Sequence, residues 1–225
     1  AWDDLLRGNN DRVGWGWADV LPHFRRMEGN NRLNDERHGT DGPLLVSDPG
    51  HIDQASRWFV QAVQGLGEPF NPDFNGPCQR GVGFYQFMNR SGRRCSAAYA
   101  YLAPEAANPN LVVRLQSPVR RLVVENGRAV GVVHADPGGG ERTVHADGEI
   151  ILAAGSLVTP QLLMLSGIGP ADHLAAHGID CLVDLPGVGS NLIDHPEVPM
   201  VAYFNGPYGY HKQGVGWRML MNGLQ

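Results

Sequence analysis

Cysteine is scarce in this chain: three residues, Cys78, Cys95 and Cys181, in a length of 225, with no CxxC pair among them. A disulfide framework and a cysteine-based zinc site are both excluded as organising principles. Reduced thiols in an intracellular, cytoplasmic protein are the expectation. Long apolar runs are missing too. None approaches the ~20 residues of a membrane span, and the first residues do not read as a secretory leader, so no transmembrane segment is expected. Basic excess is also absent. Lys and Arg number 18 against 23 Asp and Glu, for a net charge of −5, which argues against a nucleic-acid partner. Charged residues reach only 18% beside 42% hydrophobic, unlike a disordered chain. What is plentiful is glycine, 30 residues, against a usual share of about 7%. These glycines keep no collagen-like period, so they are expected at turns and at close backbone approaches.

Along the chain, the spacing predicts a short helix near Asp19 to Glu28 and a clearer one from Ile52 to Leu66. In the second, Ala55, Trp58, Phe59, Ala62, Val63 and Leu66 recur at helical intervals as an apolar face. Val82 to Phe87 alternates like a strand, and Ser96 opens a small helix that ends at Pro104. Strands are predicted at Leu111–Leu115, Val119–Glu125, Arg128–His134 and Arg142–Ala146. Asn126-Gly127 reads as a type I′ hairpin turn between the second and third of these. Glu149–Leu152 is apolar without alternation, as in a strand buried on both faces, and Ala153-Ala154-Gly155 follows it. Thr159 is expected to cap the next helix with Pro160 in its first position, and a further helix runs from Pro170 through Leu174. The chain opens at Ala1 without methionine and closes at Gln225 on an apolar stretch, so the sequence reads as the middle of something longer. No zinc spacing links the nine histidines, and no metal is expected.

Gly155-Ser156-Leu157-Val158-Thr159-Pro160-Gln161-Leu162-Leu163-Met164-Leu165-Ser166-Gly167-Ile168-Gly169-Pro170 carries small residues, Thr-Pro, an apolar helix and Ser-Gly-Ile-Gly in fixed order. This stretch resembles the second signature of the glucose–methanol–choline family of flavin oxidoreductases. Gly14-Trp15 through Leu21-Pro22-His23-Phe24, His38-Gly39-Thr40-Asp41-Gly42-Pro43-Leu44, Gly92-Arg93-Arg94-Cys95-Ser96-Ala97-Ala98 and Pro186-Gly187-Val188-Gly189 through Asp194-His195-Pro196 are similar to further family segments, in the same order. The resemblance is strongest to the choline dehydrogenase and choline oxidase branch. It implies an α/β chain contributing to two domains: residues 104–194 to a Rossmann-type FAD-binding domain, and residues 1–103 with the return 195–225 to an antiparallel-sheet substrate domain. The family's GxGxxG unit has no counterpart here. Its C-terminal histidine pair is expected beyond Gln225, so no catalytic residue is assigned within the chain.

The resemblance also implies site residues. Ala153, Ala154 and Gly155 correspond to the turn along the adenosine half of FAD, where small residues let a ribose approach the backbone; tight strand–helix packing is the bland alternative. Val119 matches the position where the family's main chain reads adenine, or it is an ordinary strand valine. Glu197 corresponds to a carboxylate facing a substrate's quaternary ammonium, with His195 close by; a solvent-facing acid and a structural histidine are the alternatives. The implied activity is FAD-dependent oxidation of an alcohol CH–OH group by hydride transfer, with a small-molecule alcohol and the rest of its own polypeptide as partners. Homo-oligomerisation stays open. A hydroxynitrile lyase of the same family and a catalytically silent piece are the competing readings.

Overall fold

The computed structural model describes residues 16–199 together with Val201, Tyr203, Gly206 and Trp217. Gly14 and Trp15, and nearly all of the expected return beyond Pro199, lie outside the described residues. The fold is mixed α/β, in two units: Ala1–Leu111 with Val201–Gln225, and Val112–Met200.

The first unit begins with helix α1 (Trp17–Met27). Asp19 Oδ2 accepts from the Gly16 N–H at 3.0 Å, tying the helix start to its own first turn. At Glu28 the backbone becomes extended (φ −83°, ψ 130°) and α1 passes directly into strand β1 (Glu28–Asn30). β1 pairs in parallel with β2 (Leu44–Ser47), which pairs antiparallel with β3 (Phe87–Arg90) and that with β4 (Arg93–Arg94). The sheet is therefore mixed rather than purely antiparallel. A parallel pair needs a crossover, and here the loop 31–43 supplies it. That loop folds back on β1: Asn30 N–H donates to the Gly39 carbonyl at 2.8 Å, and Gly42 N–H to the Glu28 carbonyl at 2.9 Å. Gly39 and Gly42 have no room for a Cβ, which would meet the backbone of Arg25 and of Met27 respectively. Beneath the sheet Cys95 is 1% exposed, its Sγ accepting from Leu45 N–H at 3.4 Å.

Helix α2 (Gln54–Gly65) is shorter than the spacing predicts, because Asp53 caps it: its Oδ1 accepts from Ala55 N–H at 2.8 Å. The predicted apolar face is not the buried one. Val60 is buried, whereas Trp58, Phe59 and Leu66 are exposed, since α2 packs only one residue deep among the described residues. The alternation at Val82–Phe87 yields a single parallel bridge, Phe70 to Val82, and the strand starts at Phe87 instead. A five-residue π turn covers Ala98–Leu102, with Ser96 Oγ accepting from Tyr99 N–H at 3.2 Å.

The second unit is built on the meander β5 (Val119–Glu125), β6 (Arg128–Ala135) and β7 (Glu141–His145), antiparallel throughout. Asn126 (φ 51°) and Gly127 (φ 75°) are both left-handed, as the expected I′ turn demands. Helix α3 (Gly155–Leu165) packs on β5, and its C-cap Ser166 joins the two. The buried Ser166 hydroxyl accepts from Leu122 N–H at 2.8 Å and donates to the Leu162 carbonyl at 2.6 Å. A miniature parallel unit follows: β8 (Ile168–Gly169), α4 (Ala171–Ala176) and β9 (Val183–Asp184), closed over the fully buried Leu174.

Three expectations are corrected here. Leu111–Leu115 is not a strand, and Val112, Val113 and Leu115 are exposed. Glu149–Leu152 is neither a strand nor buried on both faces; Ile151 is 83% exposed. The reason is shared: no strand lies beside either segment among the described residues, and a ladder needs a neighbour for its N–H and C=O groups. Third, α3 starts four residues before Thr159 and takes Pro160 into its interior. Thr159 Oγ1 reaches back to accept from Ala154 N–H at 3.1 Å, bracing the first turn from inside.

Ala in place of Gly39 should cost about 2–3 kcal/mol, because its methyl meets rigid backbone. Gly50→Ala, with open space at its Cβ position, should stay within about 0.5 kcal/mol of wild type. Ser166→Ala leaves the buried Leu122 N–H unpaired and should cost about 1–3 kcal/mol. Urea midpoints of the three variants check the ranking.

Candidate cofactor and substrate site

In the second unit, Ala153, Ala154 and Gly155 form the exposed approach to α3. None carries more than a methyl. Gly155 sits at φ +86°, a conformation that favours glycine, and nothing lies within 4 Å of where its Cβ would stand. The N-cap residue Ala154 offers no side-chain cap hydrogen bond to the first-turn amides. Val119 begins β5 opposite His134, next to a register shift, and is 41% exposed. The Ala135 N–H, one residue further along β6, donates to the Pro118 carbonyl at 2.9 Å and fixes the backbone just before Val119. His134 is buried. Its Nδ1 donates to the Ala135 carbonyl at 2.8 Å, whereas Nε2 is buried with no hydrogen-bond partner among the described residues.

His195 and Glu197 lie on the exposed, irregular segment that ends the described part of this unit. The His195 backbone N–H donates to Asp194 Oδ1 at 2.8 Å. Neither side chain has a hydrogen-bond or ion-pair partner among the described residues. Ala153–Gly155, Val119, His195 and Glu197 thus share one unit.

The first unit contains a polar centre that sequence spacing did not reveal. His38, 4% exposed, stands between two carboxylates: Nδ1 lies 3.0 Å from each oxygen of Glu28, and Nε2 lies 3.2 Å from Asp73 Oδ2. Glu28 is held in turn, accepting from Asn30 Nδ2 at 2.9 Å and from Gly39 N–H at 3.2 Å. Asp35 Oδ1 accepts from the backbone N–H groups of Arg37 and His38, which lower its pKa. Burial alone would lower the His38 pKa, but the facing carboxylates outweigh it and raise it above its ordinary value. Asp35, His38 and Asp73 place one ligand atom each within 4.8 Å of one another, yet the His38 nitrogens are already engaged, so the geometry is that of an imidazolium between acids. The partners come from residues 28 and 73, 10 and 35 positions away; the family-like His38-Gly39 pair was the one signal in the sequence.

Beside this centre, α1 and the sheet enclose a groove of about 670 Å³. Trp17, Phe24, Met27, Leu44, Val46 and Met88 supply apolar lining, and Glu28, His38, Asn75, Gly76 and Gln79 form its polar wall.

The family profile described as GMC oxidoreductase matches residues 7–197. This chain belongs to the GMC oxidoreductase family. It is 45% identical over 184 residues to the oxygen-dependent choline dehydrogenase of Rhizobium etli, covering 82% of this chain and 33% of that protein. Among solved structures it is similar to pyridoxine 4-oxidase from Mesorbium loti (TM-score 0.75, 36% identity, 82% of this chain and 36% of that one). It is also similar to an FAD-dependent oxidoreductase from Chaetomium thermophilum (TM-score 0.74, 28% identity, 83% and 34%). The chain spans about a third of the length of these relatives. Family and solved neighbours indicate FAD as the cofactor. The exposed, side-chain-poor turn at Ala153–Gly155, with its open Cβ position and uncapped amides, fits a dinucleotide. Among the described residues no helix is long and apolar enough to cross a membrane.

His38→Leu should cost about 3 kcal/mol at pH 6, since it strands two part-buried carboxylates. The sign with pH follows from the raised pKa. The imidazolium's contribution is complete below an unfolded value of about 6.5 and is lost as pH rises through the higher folded value. The gap between wild type and variant should therefore shrink by pH 9, as measured by urea unfolding at both pH values.

Proposed function

We propose that the chain is part of an FAD-dependent oxidoreductase that converts an alcohol CH–OH group to a carbonyl. The observation that carries this reading is the exposed Ala153-Ala154-Gly155 turn at the head of α3, inside the segment that matches the family. The unit Val112–Met200 is the cofactor side. Gly155 and the two alanines admit the adenosine half, and Val119 offers main-chain contact to the adenine. The first unit belongs to the substrate domain. When bound, FAD supplies a two-electron acceptor for the hydride leaving the alcohol carbon, while the hydroxyl proton goes to a base. No base is assigned among this chain's residues, and the part proposed for them is to bind and orient.

Glu197 is the proposed substrate contact, with His195 adjacent. A carboxylate without a partner attracts a cation, so an alcohol bearing a quaternary ammonium is the substrate class it favours. The choline-named relatives make this substrate class the leading one.

Anaerobic addition of choline to the full-length protein should bleach a visible flavin spectrum. A flavin unmoved by alcohols would favour a hydroxynitrile lyase, and the absence of flavin a silent piece. Glu197→Gln should raise KM for a cationic alcohol about 10- to 100-fold, roughly 1.4–2.8 kcal/mol, with much less effect on a neutral one. Equal losses for both alcohols would refute the charge argument. Gly155→Val should lower the flavin retained per polypeptide after gel filtration.

A further inference from the structure

The segment 71–80 is held together largely by its own bonds. The buried Asn71 side chain donates to the Cys78 and Arg80 carbonyls at 2.9 and 3.2 Å, and its Oδ1 accepts from Asp73 N–H. Three side-chain links tie it outward: Arg32 Nη2 donates to the Pro72 carbonyl at 2.8 Å, the Arg80 guanidinium donates to both Glu68 carboxylate oxygens at 3.0 Å, and Asp73 Oδ2 meets His38 Nε2 at 3.2 Å. Phe74 also packs on Tyr85. The first two rest on guanidiniums that stay charged at any accessible pH. The third rests on an imidazole. Asn75, Gly76 and Gln79 of the same segment form one wall of the groove beside α1.

We propose that His38 is a proton-operated clasp: protonated, it closes the 71–80 segment over the groove, and on losing its proton it releases that segment while keeping its hold on Glu28.

The choice of which bond breaks follows from the two sides. Glu28 presents both carboxylate oxygens to Nδ1 and is itself fixed by Asn30 and Gly39, so the one remaining proton of a neutral imidazole stays on Nδ1. Nε2 then carries a lone pair towards the Asp73 carboxylate, and the attraction becomes a repulsion. The charged groups that meet His38 are Glu28 from the α1–β1 junction, Asp73 from the 71–80 segment, and Asp35 and Arg37 from its own loop, while Arg25 and Arg26 of α1 and Asp41 line a cavity beside it. Arg37 pairs with Glu36 at 2.8 Å, so the nearest uncompensated charge is acidic and favours the protonated state. Groove access in this substrate-side unit would thereby depend on pH, whether or not the proposed alcohol chemistry holds.

The test is hydrogen exchange over residues 71–80 of the full-length protein from pH 6 to 9.5, corrected for intrinsic exchange rates. Wild type should lose protection there as pH rises, approaching tenfold per pH unit above the clasp's pKa, while β5 and β6 stay unchanged. Asp73→Asn should flatten this dependence, because an amide can accept from Nε2–H or donate to the bare nitrogen. Uniform protection in wild type would overturn the proposal, as would an unchanged pH dependence in Asp73→Asn. If that variant does not fold, Glu28→Gln should move the loss of protection to lower pH; no movement would equally overturn it. Activity does not enter these readouts, so failure here leaves the flavin assignment standing, and failure there leaves the clasp.

Discussion

The carboxylate of Glu28 is the interaction on which the first unit turns. It sits where α1 becomes β1, and one side chain accepts from Asn30, His38 and Gly39. Those bonds fold the 31–43 loop back, which brings Gly39 against the backbone of Arg25 and leads β2 in parallel to β1. An acid so placed is stabilised by the N–H groups it accepts from and by a cation beside it. His38 provides that cation and passes the constraint on to Asp73. Helix end, strand pairing and a distant loop are therefore coupled through two side chains. The second unit has a smaller equivalent in the Ser166 hydroxyl, which ties the end of α3 to the backbone of β5.

Local chemistry was legible in the sequence. Asn126-Gly127 determines a hairpin because both residues tolerate positive φ, and the structure shows them there. Helices with their own stop signals were also visible: α4 ends where His177 and Gly178 (φ +68°) close it. What depends on distant partners was not. The His38 centre joins residues from three separate segments, and no spacing rule reports on that. The buried face of α2 fell on Val60 rather than the expected stripe, because burial depends on what packs alongside a helix and not on its own periodicity.

The family resemblance filled a different gap. Motif order along the chain identifies the fold and cofactor class where periodicity gives only "strand" or "helix". It marks Ala153–Gly155 and Val119, and the structure adds physical content to the mark: an exposed approach, a left-handed glycine with free space beside it, and uncapped amides. For Glu197 the structure adds an exposed acid without a partner.

The stretch Leu111-Val112-Val113-Arg114-Leu115 has a consequence of its own. It combines β-branched and leucine side chains, contains no proline, and is exposed outside any strand. Segments of that composition stack on copies of themselves, each backbone group pairing with the molecule above and below. Arg114 is the sole charge in the run, and a column of stacked guanidiniums would repel along the fibril axis. Arg114 thus stands where a charge interrupts backbone pairing of this exposed run with a second copy.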